Sequence, residues 1–477
     1  MDTFLKRQMD WFNGTRPASQ PPLVQTFGWN TTLPFPPTEL DPPPVVTPPG
    51  PKAPSWDMAY RGDIYDQSLA AIWFTERGRL DALYGRNPTA NLSRARQLLD
   101  AGIFLGEHDP KADGRLRMAY YANNLLSPDG TQSSILAPDA STGNISYFGI
   151  ALTRFYDVAQ RSGYLDATTR RHYLDVAEQK AQWIVQNCTD SRPYGFTGGY
   201  VGGDQTPVSW KSTEHNIDAW VFAQNLYSLT GDRDWKLMAE RAGRLVQNMY
   251  VNVDPWRAYY VTGTLDDGIT RNPSPVPADA QAWTALARWG GTRIDSDLKA
   301  RKAMRWLEEN LRDDSETVRL PEDGVKFSNV GKNMQSEVTA SAAFAERWLG
   351  RDLREAKDML GLLDWVRDQA APDFDGIIPN GLGLVATPGL EGAWTGYGPD
   401  AWYYKLTHVA SSSWAGLAYL HSYQGDVWAN PLQPLPLRPQ LWHLRSSSVS
   451  VPEPSALALL VCGLFTAWLC RRLRRSR

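Results

Sequence analysis

The chain has 477 residues and a net charge of −3, with 42% hydrophobic and 21% charged residues. These proportions belong to a folded globular chain, long enough for one extended core or two ordinary ones. The near-neutral balance removes the electrostatic case for nucleic acid, because neutralising many phosphates needs a basic surface.

Aromatic content is the unusual feature. Twenty Trp and twenty Tyr suit a protein that stacks the apolar faces of sugar rings, although a large helical core also consumes such residues. Cys462 and Cys470 lie in a C-terminal apolar segment, which leaves Cys188 alone in the rest of the chain. No internal disulfide framework is therefore expected. Six His and one isolated Cys do not make a zinc cluster, and the sequence shows no cofactor motif. The expectation is no metal and no cofactor.

In chain order, residues 1–16 form an N-terminal segment without the apolar run of a secretory signal. Residues 17–54 carry thirteen prolines, including Pro42-Pro43-Pro44. Such a stretch cannot continue a helix or a central strand, and reads as an extended, solvated linker or a surface-hugging arm. Residues 55–430 form the main domain, which is all-α by periodicity; Arg115 to Tyr121 is the best short strand candidate. Helical segments come in pairs. First members are read near 63–78, 145–161, 213–229, 278–290, 335–349 and 411–422. Second members are read near 91–104, 167–187, 232–249, 296–312 and 351–369. The sixth first member has no visible partner, because Pro431, Pro434 and Pro436 follow it closely. That partner is either short or supplied by an N-terminal segment.

Polar residues gather where each first-member helix begins. Asp66, Asn144, Glu214, Asp279, Glu337 and Ser411 recur at intervals of 58 to 78 residues, about one helical hairpin plus its loop. Ordinary N-capping explains many of them, since Ser, Asp and Asn satisfy orphan amides and acids suit the positive helix end. Capping does not explain bulky polar groups two or three positions further in. If inner and outer helices alternate around a ring, all inner N-termini share one face and the clusters converge there.

The string Trp210-Lys211-Ser212-Thr213-Glu214-His215-Asn216-Ile217-Asp218 carries a resemblance, together with Tyr65-Asp66-Gln67-Ser68-Leu69-Ala70, Asp279-Ala280-Gln281-Ala282-Trp283 and Glu337-Val338-Thr339-Ala340. Over residues 60–425 the chain resembles the six-hairpin glycosidase superfamily, and within it a group of exported bacterial glycosidase-like proteins. The resemblance implies an (α/α)6 toroid and a carbohydrate substrate. A second resemblance lies at the end. After a linker at 431–450, Val451-Pro452-Glu453-Pro454 precedes an apolar run from Ala456 to Cys470 and five terminal arginines. Residues 451–477 are similar to PEP-CTERM sorting signals. That likeness implies a C-terminal transmembrane helix, an exosortase-type sorting enzyme as partner, and a place in the cell envelope or outside a Gram-negative cell. The apolar run is short for a span, but flanking arginines can snorkel and basic residues stay cytoplasmic. Such proteins are exported, so an in-frame apolar segment upstream of Met1 is expected.

Glycoside hydrolysis needs two carboxyl groups across the scissile bond. Glu214 is the first choice as a catalytic group, with Asp66 and Asp279 as partners. Asp266 and Asp267 are further acids on a nearby loop. Substrate contacts are assigned to Trp210, Lys211, His215, Asp218, Gln281, Trp283, Glu337, Trp394 and Tyr397, with Lys211 suited to an acidic sugar. A helix dipole lowers the pKa of a first-turn carboxylate whereas apolar burial raises it, so acid and base roles stay open. Two alternatives remain: a polysaccharide lyase or sugar epimerase using His215 and Tyr65, and a non-catalytic glycan-binding or envelope-assembly protein.

Overall fold

The computed structural model describes residues 2–14, 16–28, 58, 60–192, 194–289, 291–313, 320–369, 383–389, 391–398 and 401–436. The tail at 451–477, nearly all of the 431–450 linker and most of the Pro-rich stretch lie outside the described residues.

Among the described residues there are twelve α-helices: α1 (Asp2–Asp10), α2 (Ile64–Leu83), α3 (Thr89–Glu107), α4 (Thr142–Ser162), α5 (Ala167–Asn187), α6 (Thr213–Thr230), α7 (Arg233–Asn248), α8 (Ala278–Leu286), α9 (Asp297–Asn310), α10 (Ser336–Leu349), α11 (Leu353–Gln369) and α12 (Val409–Gln424). The even-numbered helices form a closed ring, each touching the next, with α12 closing on α2. Helices α3, α5, α7, α9 and α11 each lie against the even-numbered helix before them. The result is a toroid of helical hairpins. None of the described helices is long and apolar enough to cross a membrane.

Burial sorts inner helices from outer ones. In α7 the buried positions are Met238, Ala239, Ala242, Gly243, Leu245 and Val246, one stripe at helical spacing. In α8 every residue from Ala278 to Leu286 is buried, as expected of a helix enclosed on all sides. Gly163, Gly231, Gly350 and Gly425 end α4, α6, α10 and α12 in the left-handed conformation, which glycine adopts without a Cβ clash. The sequence reading ran α8 on to residue 290, but it stops at Leu286, and Arg288–Trp289 pairs with Thr292–Arg293 instead.

The N-terminal helix packs against the first hairpin. Asp2 of α1 accepts the Trp73 indole N–H at 2.8 Å, Asp10 is held by Arg94 of α3, and Phe4, Leu5 and Met9 are buried. Residues 20–28 then run inward. Leu23 to Phe27 are buried, with Val24 N–H bonded to Gln67 and Phe27 bridged to His408. This part of the Pro-rich stretch is therefore not solvated. It still has to satisfy its backbone, and does so on α1, α2 and the strand Arg61–Asp63.

The segment after α12 also departs from its reading as a linker. Arg154 on α4 binds Glu76 on α2 at 2.9 Å and the carbonyls of Pro431, Gln433 and Trp428. Asn225 on α6 accepts the Leu435 amide at 2.8 Å, and Asn430 donates to the Leu286 carbonyl of α8 at 2.9 Å. These contacts reach the C-terminal halves of four inner helices. Residues 426–435 thus plug that end of the ring. The six small antiparallel sheets among the described residues are built of strands two or three residues long; several lie in the loops leading into inner helices, at the opposite end.

Candidate active site

At that opposite end the inner helices begin, and their caps come first. The side chains of Ser141, Ser212, Gln335 and His408 accept the N-terminal amides of α4, α6, α10 and α12. The capping is done by the residues just before the polar clusters. Asn144, Glu214 and Glu337 are therefore left to line a common cavity of about 720 Å³, although the sequence could equally have read them as caps.

Asp66, Glu214, Asp218, Asp279 and Glu337 all line this cavity, with His215 and Trp283. All five carboxyls are pushed up, chiefly by burial, which penalises their charged forms. Asp279 rises from 3.8 to about 7 and Glu337 from 4.5 to about 7. Glu214 is driven further up by the negative charges of Asp279, Asp218 and Glu337, and it shares a hydrogen bond with Asp279 that raises Glu214 and lowers Asp279. In this pair Glu214 holds the proton and Asp279 accepts it.

A second grouping forms across α2, α10 and α12. The Tyr65 hydroxyl donates to Glu337 Oε1 at 2.6 Å and itself accepts the Trp414 indole N–H at 2.9 Å. Gln335 adds a bond to the other Glu337 oxygen at 3.3 Å. Asp66 lines the same cavity, but its Oδ1 accepts the Ala410 amide at 2.8 Å and faces His408 Nε2 at 3.4 Å. One of its oxygens thus serves the N-terminus of α12.

Aromatic rings sit beneath the carboxyls. Trp283 stacks on Trp414 with centroids 5.6 Å apart, and Tyr65 meets Tyr147 edge-on at 4.7 Å. His215 and His408 are both lowered to about 4 by burial and are neutral. The His215 ring fits because Gly143 has no side chain; a Cβ there would lie 2.4 Å from the imidazole.

A second cavity of about 830 Å³ shares Glu214, His215 and Phe327 with the first, and adds Trp210, Thr262, Asp266 and Tyr397. The Tyr397 hydroxyl and Thr262 are 2.6 Å apart. Asp267, also on its wall, is used locally and caps its own turn through Ile269 and Thr270. Together the two cavities make a depression running from the ring centre to its rim.

Known structures share this architecture. A family 76 glycoside hydrolase from a bovine Bacteroides thetaiotaomicron strain superposes with TM-score 0.53 at 11% identity, over 89% of this chain and 77% of that one. A sugar epimerase from a ruminal bacterium gives 0.54 at 11% identity, over 89% and 99%. A D-mannose isomerase gives 0.54 at 8% identity, over 89% and 97%. These likenesses are of fold. No family profile matches the chain, and no curated protein matches its sequence.

Three of the residues singled out in the sequence have their side-chain polar groups engaged within the protein. Lys211 is buried, with its ammonium on Asp190 at 3.0 Å and the Tyr194 carbonyl at 2.6 Å. It ties down its own loop. Gln281 faces strand Ala258–Tyr260: its amide accepts the Tyr260 N–H and donates to the Tyr260 and Pro277 carbonyls, each at 2.8 Å. Trp394 donates its indole N–H to Gly398 at 2.7 Å and lines neither cavity; its strand neighbour Trp402 lines the central one. Sequence reasoning missed Arg61, Phe27, Phe327, Tyr403 and His408 on the cavity wall. His408 had a faint signal, lying three residues ahead of Ser411, but histidine is an uncommon cap.

Proposed function

We propose that the protein is a carbohydrate-active enzyme, a glycoside hydrolase working by carboxyl acid–base catalysis. The observation carrying this reading is the convergence on one cavity of five carboxyls from four inner helices, Asp66, Asp218, Asp279 and Glu337 buried and Glu214 half-buried, beside aromatic rings. Hydrolysis of a glycosidic bond requires one carboxyl that is protonated and another that is ionised. Glu214 suits the acid role: burial and its acidic neighbours keep its proton, and Asp279 holds that proton in place. Glu337 suits the base or nucleophile role, since it titrates near 7 and two donors, Tyr65 and Gln335, orient it. In the forward step Glu214 would protonate the departing glycosidic oxygen while Glu337 acts at the anomeric side. The adjoining rim cavity with Trp210 and Tyr397 suits further sugar units.

One observation favours a second reading, a sugar epimerase or isomerase. Neutral His215 lines both cavities, and its Nδ1 has no hydrogen-bond partner among the described residues, which suits a proton-abstracting base. Two experiments separate the readings. The full-length protein is screened on a polysaccharide and oligosaccharide panel, with reducing ends and solvent-deuterium uptake both followed. Glu214→Gln should abolish release of reducing ends while binding persists. Deuterium incorporation without cleavage points to His215, and neither product with binding intact points to a glycan-binding protein. We place the protein at the cell envelope, anchored through 451–477, on the strength of the Pro-Glu-Pro, apolar and arginine pattern alone. Recovery of the full-length protein in the soluble fraction of a Gram-negative host would overturn that placement.

A further inference from the structure

The cavity holds more carboxyl groups than hydrolysis uses. Asp63, Asp66, Glu214, Asp218, Asp279 and Glu337 line it, whereas Arg61 is the one Lys or Arg among its lining residues. Arg61 is already forked onto Asp63, at 2.7 and 2.8 Å. Both lining histidines are neutral. The adjoining cavity brings Asp266 and Asp267 against Lys211, whose ammonium is on Asp190. Among the described lining residues no unpaired fixed positive charge is left to meet an anionic substrate.

Asp218 shows what the excess is for. It is 2% exposed and lines the central cavity one helical turn beyond Glu214, yet its Oδ1 has no hydrogen-bond partner among the described residues. A buried acceptor without a donor is unfavourable, and this one belongs to a residue that lines the cavity. Its titratable neighbours are Glu214 and His215 on α6, Asp279 on α8 and Tyr147 on α4, with Glu337 of α10 on the same cavity. None of them is a cation, and Trp283 lines the same cavity. Among the described residues no group of three His, Cys, Asp or Glu has the arrangement of a metal site. The missing donor is therefore best matched by an ammonium, which carries three N–H donors and is drawn to carboxylates and aromatic faces.

We propose that the central cavity recognises an amino sugar with a free ammonium group, seated on Asp218 Oδ1 beside Asp279 and Trp283. This assignment rests on the carbohydrate reading above and narrows it. Uronic acids and sulfated sugars are disfavoured by charge, and N-acetylation removes both the charge and two of the three donors. Because the neighbouring carboxyls hold protons when the cavity is empty, an arriving cation ionises them and binding releases protons.

Calorimetry on the full-length protein tests this. Glucosamine, galactosamine and mannosamine are titrated beside their parent hexoses, their N-acetyl forms and glucuronate. The pH is set at about 6.5, below the roughly 7.7–8.0 at which an ordinary α-amine titrates. One hexosamine should bind roughly tenfold or more tighter than its parent hexose, as a charge-assisted hydrogen bond would give. Its N-acetyl form should lose that gain, and two buffers of different ionisation enthalpy should reveal proton release for the hexosamine alone. Asp218→Asn should erase the preference and keep hexose binding. If that variant does not fold, proton release in the unaltered protein decides. Equal affinity for hexosamine and hexose, an unchanged ratio in Asp218→Asn, or no proton release overturns the ammonium site and leaves the sugar reading standing. Failure of every sugar and of oligosaccharides to bind overturns the carbohydrate reading itself.

Discussion

Replacing Glu337 by Gln should stabilise the protein above pH 7 and leave it nearly unchanged at pH 5. Glu337 is 7% exposed, and burial lifts its pKa from 4.5 to about 7. The folded chain therefore holds this proton more tightly than the unfolded chain. Stability depends on pH through the difference in bound protons, and it falls with rising pH where the folded state binds more. The loss begins near the unfolded value of 4.5, continues to about 7, and is constant above it. At roughly 1.4 kcal/mol per tenfold change, integration over these limits gives about 0.8 kcal/mol lost at pH 5 and about 3.3 kcal/mol at pH 8. Gln keeps an oxygen for the Tyr65 hydroxyl and carries no charge, so it escapes this cost. The variant's advantage over the native chain should grow by about 2.5 kcal/mol between the two pH values. For a domain this large, with unfolding entropy near 0.9 kcal/mol/K, that is roughly 3 °C in Tm. Scanning calorimetry of both proteins at the two pH values measures it. A Tm difference that does not change with pH, or one that shrinks as pH rises, refutes the claim that Glu337 is a strained, buried carboxyl.

The same charge logic bears on catalysis: Glu214→Gln should lower kcat by roughly 10²–10⁴-fold, the usual weight of a general acid, with substrate affinity retained in calorimetry. The acid limb of the kcat/KM profile should centre near pH 7, where Glu337 ionises, and a limb near 4 would remove Glu337 from the base role. Lys211→Met should cost on the order of 1–3 kcal/mol, since Asp190 and the Tyr194 carbonyl lose a donor, and leave the substrate charge preference as it was. Arg154→Met leaves Glu76 with one fewer cation and frees the plug carbonyls. A loss of about 3–5 kcal/mol is expected in chemical denaturation, and a loss below about 1 kcal/mol would show that residues 426–435 do not hold the ring shut.

Much of the ring was legible because its physics is local. All eleven helical segments, five pairs and one unpaired, reappear as α2 to α12, since enclosed helices read as near-continuous apolar runs and outer ones as stripes. The convergence of Asp66, Glu214 and Asp279 on one cavity follows from spacing once the ring closes. What could not be read is side-chain direction. Lys211, Ser212, Glu214 and His215 are near neighbours in one string, yet Lys211 turns back to Asp190, Ser212 caps the helix, and only the other two present their side chains to the central cavity. Gln281 lies two residues from Asp279 and points the other way, to Tyr260. The two Pro-rich stretches were misread for a related reason. Proline excludes helix and central strand but is silent on burial, so 17–54 read as a solvated linker or arm and 431–450 as a linker, while long-range bonds to the ring hold residues 20–28 and 426–435.

The sequence also left open whether the helix end or burial governs a carboxyl in the first turn. A helix N-terminus stabilises a nearby negative charge by about 0.3–1 kcal/mol when exposed and up to about 2 kcal/mol in favourable buried geometry. Moving Asp279 from 3.8 to about 7 corresponds to about 4 kcal/mol in the opposite direction. Burial wins, and by more than the dipole can return. The reason lies in the architecture. Six inner helices place their positive ends around one depression, but the same closure that gathers those ends also removes water and brings the acids within reach of one another. Each dipole acts on its own first turn, whereas desolvation and mutual repulsion act on all the carboxyls together. A toroid that collects acids at its helix N-termini is therefore biased towards protonated carboxyls at neutral pH, the state in which one of them can serve as a proton donor.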